Sequence, residues 1–153
     1  MPLVSPGNIL NNILKGKLGV ASIWDTDPTN LERATDGDID TVTGTGSKVM
    51  DAVGNYGVLT FDLGSIKTVL LGARVALWST NAGTYIYAAS SDDNITYREN
   101  HLAIMYKSTV AELVMETNPV ILTGRYIRIR FSVNAIATAY AKIYEVMGWE
   151  LTI

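Results

Sequence analysis

Apolar and long polar side chains alternate along the segment 124–131. The apolar positions are Ile127, Ile129 and Phe131, and the positions between them are Tyr126, Arg128 and Arg130. Because successive side chains of a β-strand point to opposite faces, a period of two puts the apolar set on one face and the cations on the other. The segment is therefore predicted to be a strand with one buried face. Basic side chains lying over the outside of an ordinary strand produce the same pattern, so its meaning depends on the rest of the chain.

Further strand-like segments lie before and after it. They are 57–64, which ends in an Asp-Leu-Gly turn, 69–78, 85–93, which runs into a polar turn, and the closing segment 140–151. Clusters of turn-forming residues separate the strands, at 64–65, 79–83, 91–94, 117–119 and 123–124. Short strands at this spacing favour an antiparallel β-sandwich.

The order of these segments, together with the front of the chain, resembles one known family. The matching features at the front are Asn8, the segments 20–22 and 34–41, and Pro28. The chain is similar to discoidin domains, also called the coagulation factor 5/8 C-terminal domain family, whose bacterial relatives include galactose-binding carbohydrate modules. The resemblance implies an all-β, antiparallel jelly-roll sandwich, with residues 1–153 as a single domain, that acts as a non-catalytic recognition module.

Composition narrows the choice of partners. The chain has 12 basic and 15 acidic residues and a net charge of -3, which gives no electrostatic footprint for nucleic acid. Arg74 interrupts the longest apolar stretch, at 69–78, which is too short for membrane insertion. The absence of Cys excludes disulfides and thiolate metal sites. Since 48% of the residues are apolar and only 18% are charged, we expect apolar surface to be covered by copies in a homo-oligomer or by another protein.

The first eight residues contain no cationic start before an apolar run and no small-residue cleavage site. They predict synthesis in the cytoplasm without export. A free-standing module of this kind, beginning with its own Met1, suits a virion. We therefore expect a bacteriophage head-decoration or tail-tip protein that binds a cell-surface glycan. The alternative is a purely structural virion subunit that contacts other virion proteins and binds no sugar.

Acidic residues alternate in the segment 36–40, where Asp36, Asp38 and Asp40 supply the hard oxygen ligands that calcium prefers. An EF-hand is excluded because Thr41 and Ser47 occupy the sixth and twelfth positions from Asp36, where that motif needs Gly and Glu.

The discoidin resemblance implies a structural calcium ion at this loop. It assigns side-chain oxygens of Asp36, Thr41 and Glu145 to the ion, with Asp38 or Asp40 as additional ligands. The alternative is an ordinary Asp-Gly turn, whose Asp bonds its own backbone, and a solvated Glu145. The chain departs from the family pattern just after Thr41, where the family has a Trp two residues on and this chain has Val42 and Thr43.

A sugar site needs an aromatic side chain against the apolar face of a pyranose and polar groups that fix its hydroxyls. The candidates in or beside loops are Trp24, Trp78, Asn81, Arg98 and His101, with Tyr56 and Tyr97 as further aromatics. The competing interpretation is packing, since aromatic residues of small sandwiches mostly fill cores and interfaces.

Catalytic motifs are missing from the sequence. His101 is the only His, no Gly-x-Ser-x-Gly is present, and there is no phosphate-binding loop of the Walker type. Paired carboxylates at 25 and 27 and at 92 and 93 lie in polar turns without an apolar wall that would raise the pKa of one of them. The sequence therefore predicts a protein that is not an enzyme.

Overall fold

The computed structural model describes residues 11–24, 26–49, 56–79, 84–105, 109–133 and 138–152. Its strands are β1 (Val20–Ser22), β2 (Gly46–Val49), β3 (Tyr56–Ser79), β4 (Thr84–Ser91), β5 (Arg98–Met105), β6 (Thr109–Glu116), β7 (Val120–Val133) and β8 (Thr138–Glu150). A short 3₁₀ helix spans Leu31–Ala34. Within these residues, no helix is long and apolar enough to cross a membrane. The all-β prediction is confirmed.

The strands form two antiparallel layers. The front sheet contains β1, the first half of β3, the second half of β7, β4 and β5. The back sheet contains β2, β8, the second half of β3, the first half of β7, and β6. The long strands β3 and β7 belong to both layers, and this continuity joins the sandwich along one side.

β3 passes between the layers where two separate strands were predicted. Its pairing with β7 shifts register between Asp62 and Lys67. Gly64 lies there with φ +83°, and its amide donates to Asp62 Oδ1 at 2.7 Å. The Asp-Leu-Gly segment is therefore a local turn, as predicted, but it bends one strand instead of ending it.

The alternating segment 124–131 places its apolar residues in the core, as predicted. Ile127 and Ile129 are fully buried and Phe131 is 4% exposed. They pack with Leu59 and Phe61 of the front sheet. The facing side of the core comes from the back sheet, chiefly Val75, Leu77, Ile143 and Val146. The side chains between these positions point outward, and on β3 and β7 they form the outer face of the front sheet.

Several strand ends meet at one end of the sandwich. The pairs there are Val49 with Thr138, Ser79 with Ala139 and Thr109, and Thr84 with Val133 and Met105. The predicted ligand residue Asn81 belongs to the link that follows Ser79, and it lies outside the residues that the structure describes.

Candidate functional site

The segment 36–41 is a compact acidic loop. The Asp38 amide donates to Asp36 Oδ1 at 2.8 Å, and the Asp40 amide donates to Asp38 Oδ1 at 2.9 Å. The Thr41 hydroxyl donates to Asp36 Oδ2 at 2.6 Å, and this bond holds the pKa of Asp36 below its usual value. Gly37 adopts φ +86°, a conformation that favours glycine. The predicted local Asp-Gly turn is therefore present, and it does not by itself distinguish between the two interpretations of the loop.

Glu145 distinguishes the acidic loop from an ordinary turn. It lies on β8 and is 1% exposed, so the alternative of a solvated strand residue is wrong. Its Oε2 accepts a hydrogen bond from the Gly37 amide at 3.2 Å, and its Oε1 is buried without a hydrogen-bond partner. The pKa of Glu145 is raised to about 7, chiefly by burial and also by the nearby carboxylates of Asp36 and Asp38, while the Gly37 hydrogen bond and Lys15 lower it. A buried carboxylate oxygen without a donor is costly unless a proton or a cation satisfies it.

The predicted metal ligands are brought together at this loop. Glu145 bonds the backbone of Gly37, which follows Asp36, and Thr41 bonds both Asp36 and the carbonyl of Asp38. In the part of the chain that the structure describes, no three acidic or histidine side chains form a ready-made metal site. An ion here would therefore also need the Thr41 hydroxyl and backbone carbonyl oxygens, which are ligands that calcium accepts.

A groove of about 390 Å³ lies on the outer face of the front sheet. Its floor consists of outward-facing residues of two paired strands, namely Val58, Thr60, Asp62, Tyr126 and Arg128. One wall comes from Val20, Ser22 and Ile23, and the other from Asn94 and Tyr97. The groove therefore combines aromatic rings, aliphatic side chains, a carboxylate, an amide and a guanidinium.

Arg128 is held flat against the wall of the groove. Its guanidinium carbon lies 3.7 Å from the centroid of the Tyr97 ring, and its Nη2 is 3.0 Å from Glu99 Oε1. Arg130 binds the other oxygen of the same carboxylate at 2.9 Å. The Arg128 side chain is only 17% exposed. These cations are therefore fixed by a ring and a shared acid and do not lie loosely over the strand.

The turn after β4 fixes the Tyr97 wall. Asp93 Oδ1 accepts bonds from the backbone amides of Ile95 and Thr96, both at 2.9 Å, and from the Ser91 hydroxyl at 2.8 Å. These bonds lower the pKa of Asp93 to about 2, and the bond from the Thr96 amide has the largest effect. The Tyr97 hydroxyl donates to Asn94 Oδ1. Burial raises the Tyr97 pKa, so this hydroxyl stays a donor at neutral pH.

The opposite wall is apolar and carries an unusual backbone conformation. Val20 is 67% exposed and Ile23 is 51% exposed. Ile23 has φ +63°. A β-branched residue in the left-handed region is strained, and such strain is concentrated at binding sites and other functional positions.

Trp24 fills a slot between strands. Its Nε1 donates to the carbonyl of Val58 at 3.0 Å, and its ring lies 5.7 Å from that of Phe131. An added Cβ on Gly57 would lie 2.5 Å from the Trp24 ring. The structure therefore favours the packing interpretation for this residue, and its predicted contact with sugar remains untested.

Gly57→Ala is expected to lower the free energy of unfolding by about 1–3 kcal/mol, because the new methyl group would overpack the Trp24 slot. Urea unfolding followed by tryptophan fluorescence measures this change. Gly72→Ala is the matched control, since a Cβ there meets its nearest neighbour at an ordinary 3.9 Å. Equal stabilities of the two variants would show that the slot is not tightly packed.

The remaining predicted ligand residues are not gathered with Trp24. Trp78 stacks on Tyr140 of the back sheet, with ring centroids 5.1 Å apart. Arg98 donates to the carbonyl of Thr123 at 2.8 Å and pairs with Asp92 at 3.3 Å, outside the groove. His101 lies on β5 opposite Tyr87, and its side chain lies outside the described part of the structure. The groove instead uses Tyr97, which was a further candidate, and Tyr126, Arg128 and Asn94, which had not been assigned to a sugar site.

No protein-family model and no curated protein sequence matches the chain. Solved structures do match. Chitosan-binding module 1 of a chitosanase/glucanase from Paenibacillus sp. IK-5 is 18% identical, with a TM-score of 0.50 over 91% of this chain and 98% of that one. A histidine mutant of the lectin binding domain of lectinolysin, in a complex with Lewis b, is 18% identical, with a TM-score of 0.52 over 93% of this chain and 97% of that one.

A third similar structure is a family 32 carbohydrate-binding module from Clostridium perfringens in complex with GalNAc-β-1,3-galactose. It is 12% identical and has a TM-score of 0.51 over 91% of this chain and 99% of that one. At such identities the likeness concerns the fold. The chain has the discoidin-like, galactose-binding-like β-sandwich fold, as predicted.

Proposed function

We propose that this protein is a non-catalytic carbohydrate-binding module that binds its sugar in the groove on the front sheet. The groove itself carries the proposal, because it places aromatic and aliphatic walls beside fixed polar groups. Its volume of about 390 Å³ suits a small ligand. Solved structures with the same fold, bound to Lewis b and to GalNAc-β-1,3-galactose, support a glycan as the ligand.

Each part of the groove has a role in holding a pyranose. The rings of Tyr97 and Tyr126 and the side chains of Val20 and Ile23 offer apolar surface to the C–H faces of the sugar. The Asp62 carboxylate accepts bonds from hydroxyls. It is already oriented by a bidentate pair with Arg125, at 2.9 Å for both bonds. Groups fixed before binding cost less entropy when the ligand arrives.

Binding to a glycan array tests this proposal, with isothermal titration of any glycan that binds. We expect a 1:1 complex. In NMR spectra, the ligand should shift the resonances of the Tyr97 and Tyr126 side chains. A broad array without any binding would contradict it. Binding that is unchanged in Tyr126→Ala but lost in Trp78→Ala would place the sugar away from the groove.

The acidic loop is proposed to bind a structural calcium ion. Glu145 supplies the buried oxygen, and Asp36, Asp38 and Thr41 supply the exposed side of the site. When bound, the ion supplies positive charge that stabilises the loop, and it has no part in any reaction. The unpartnered Glu145 Oε1 is the observation that favours this over a plain turn.

Calcium added to chelator-treated protein is expected to raise the melting temperature by about 5–10 °C at a hundredfold excess over the Kd. Asp36→Ala should abolish this shift because it removes a ligand. Asp27→Ala, at an exposed position outside the loop, serves as the control. An unchanged melting temperature in the unsubstituted protein would rule out a stabilising ion.

The placement on a bacteriophage virion, as a head-decoration or tail-tip subunit, remains a proposal, as does assembly into a homo-oligomer. The aliphatic residues Ile66, Ile95 and Ile121 are 62%, 83% and 62% exposed. Such apolar surface could be covered by another copy of the chain or by a partner protein. Light scattering in solution gives the native mass. A stable closed oligomer without glycan binding would favour the structural-subunit alternative, and a monomer would favour the free recognition module.

A further inference from the structure

We infer that the groove prefers sugars that carry a carboxylate, such as uronic or sialic acids. This inference rests on the proposed function and names the class of ligand for the same groove. The chemistry that carries it is the guanidinium of Arg128.

Arg128 shares its paired carboxylate with a second cation. Among the residues that the structure describes, Glu99 is its one acidic partner, and this single carboxylate is shared with Arg130. The Nε of Arg128 is buried without an acceptor, so the ligand would contact the guanidinium through its Nη groups. The other acid of the groove, Asp62, is already paired with Arg125 through both oxygens. An anionic ligand would therefore complete the charge balance of Arg128 without displacing another carboxylate.

The setting of Arg128 strengthens such a contact. Its side chain is 17% exposed and its guanidinium carbon lies 3.7 Å from the centroid of the Tyr97 ring, so little water has to be removed and little rotamer entropy is lost on binding. Hydrogen bonds between a guanidinium and a carboxylate are about twice as strong as neutral ones. The attraction is local, because the chain as a whole has a net charge of -3 and would repel anions elsewhere.

Two pairs of probes separate the carboxylate from the sugar frame. The first is trigalacturonic acid and its full methyl ester, and the second is sialyllactose and lactose. We expect the acidic member of at least one pair to bind about 10-fold or more tightly than its neutral counterpart, with a preference that falls as salt is raised.

Variants assign this preference to Arg128. Arg128→Gln should bring the two members of the pair to similar affinities, and Arg128→Lys should keep part of the difference because it keeps the charge but loses the planar fork. Glu99→Gln should increase the preference, since it removes the competing carboxylate. Because a misfolded variant cannot gain a preference, an increase in Glu99→Gln tests the inference even if Arg128→Gln fails to fold. Arg74→Gln, on the back sheet, is the control and should leave the preference unchanged.

Neutral sugars that bind in the groove as tightly as acidic ones, with no effect of Glu99→Gln, would overturn the inference and leave the proposed function standing. Absence of binding to every glycan would overturn both. A preference that persists in Arg128→Gln would also overturn the inference, because another cation would then recognise the carboxylate.

Discussion

Glu145→Gln is expected to stabilise the calcium-free protein at pH 8 by about 3 kcal/mol and to abolish its response to calcium. Burial raises the pKa of Glu145 to about 7 from an ordinary value of 4.5. Between these two pH values, the folded chain retains a proton that the unfolded chain has released. The free energy of unfolding of the calcium-free protein therefore falls as pH rises through this window, by about 1.4 kcal/mol per pH unit.

The substitution removes this dependence because glutamine is neutral at every pH. Urea unfolding in chelator at pH 5, 6, 7 and 8 measures the slope in both proteins. Below pH 4.5 the two should differ little, since Glu145 is protonated in the folded and unfolded chains alike. Glu116→Gln, at an exposed carboxylate of β6, is the matched control. The same pH slope in Glu145→Gln as in the unsubstituted protein would show that the buried carboxylate is not its cause.

Calcium should reverse the effect in the unsubstituted protein. Its charge would replace the proton on Glu145, so stability at pH 8 should rise by about 2.7 kcal/mol at a hundredfold excess over the Kd. Glutamine offers an oxygen without a charge, and the gain should then disappear. A calcium response retained in Glu145→Gln would exclude Glu145 as a ligand while leaving the pH prediction intact.

Tyr97→Ala is expected to weaken glycan binding by about 30-fold or more, equivalent to about 2 kcal/mol. The substitution removes one aromatic wall of the groove and also the surface on which the Arg128 guanidinium lies. Tyr97→Phe should change the affinity less than about threefold, because it keeps the ring and loses only the hydroxyl, which bonds Asn94 and Thr60.

Tyr140→Ala provides the aromatic control on the back sheet, where the Tyr140 ring stacks on Trp78. Isothermal titration with a glycan selected from the array gives all three affinities. A loss of binding in Tyr140→Ala with no loss in Tyr97→Ala would place the site on the back sheet, close to the predicted ligand residue Trp78.

The strand pattern could be predicted from sequence because burial alone determines it. Ile127, Ile129 and Phe131 point into the core because alternate side chains of a strand lie on the same face. The groove could not be predicted in the same way, because it depends on register. Tyr126 pairs with Ser91 at the end of β4, and the turn that follows brings Tyr97 against Arg128. A local sequence pattern does not determine the register between strands that are distant in the chain.

The aromatic candidates show a second limit. Trp24 is a candidate ligand residue from the sequence because it lies at the start of a polar, loop-like segment. Its actual position is set by Gly57 and Gly46, whose missing side chains leave room for its ring. Glycines within strand-like segments are a signal of close approach that could have separated packing from binding. The burial of Glu145 likewise depends on the loop at 36–41 covering β8, which only the folded chain shows.

The membership of β3 in both sheets also determines how the chain can fold. β3 pairs with β1, β6, β7 and β8, and its contacts join Val20 to Thr60 and Val69 to Glu150. Neither layer can form its hydrogen-bonded ladder until segments from both halves of the sequence have met. Closing such large loops costs entropy before any contact compensates for it. Nucleation is therefore slow, and folding should take on the order of milliseconds to seconds. Once formed, the backbone amides of β3 outside the turn at 62–67 should exchange with solvent deuterium only when the whole sandwich opens.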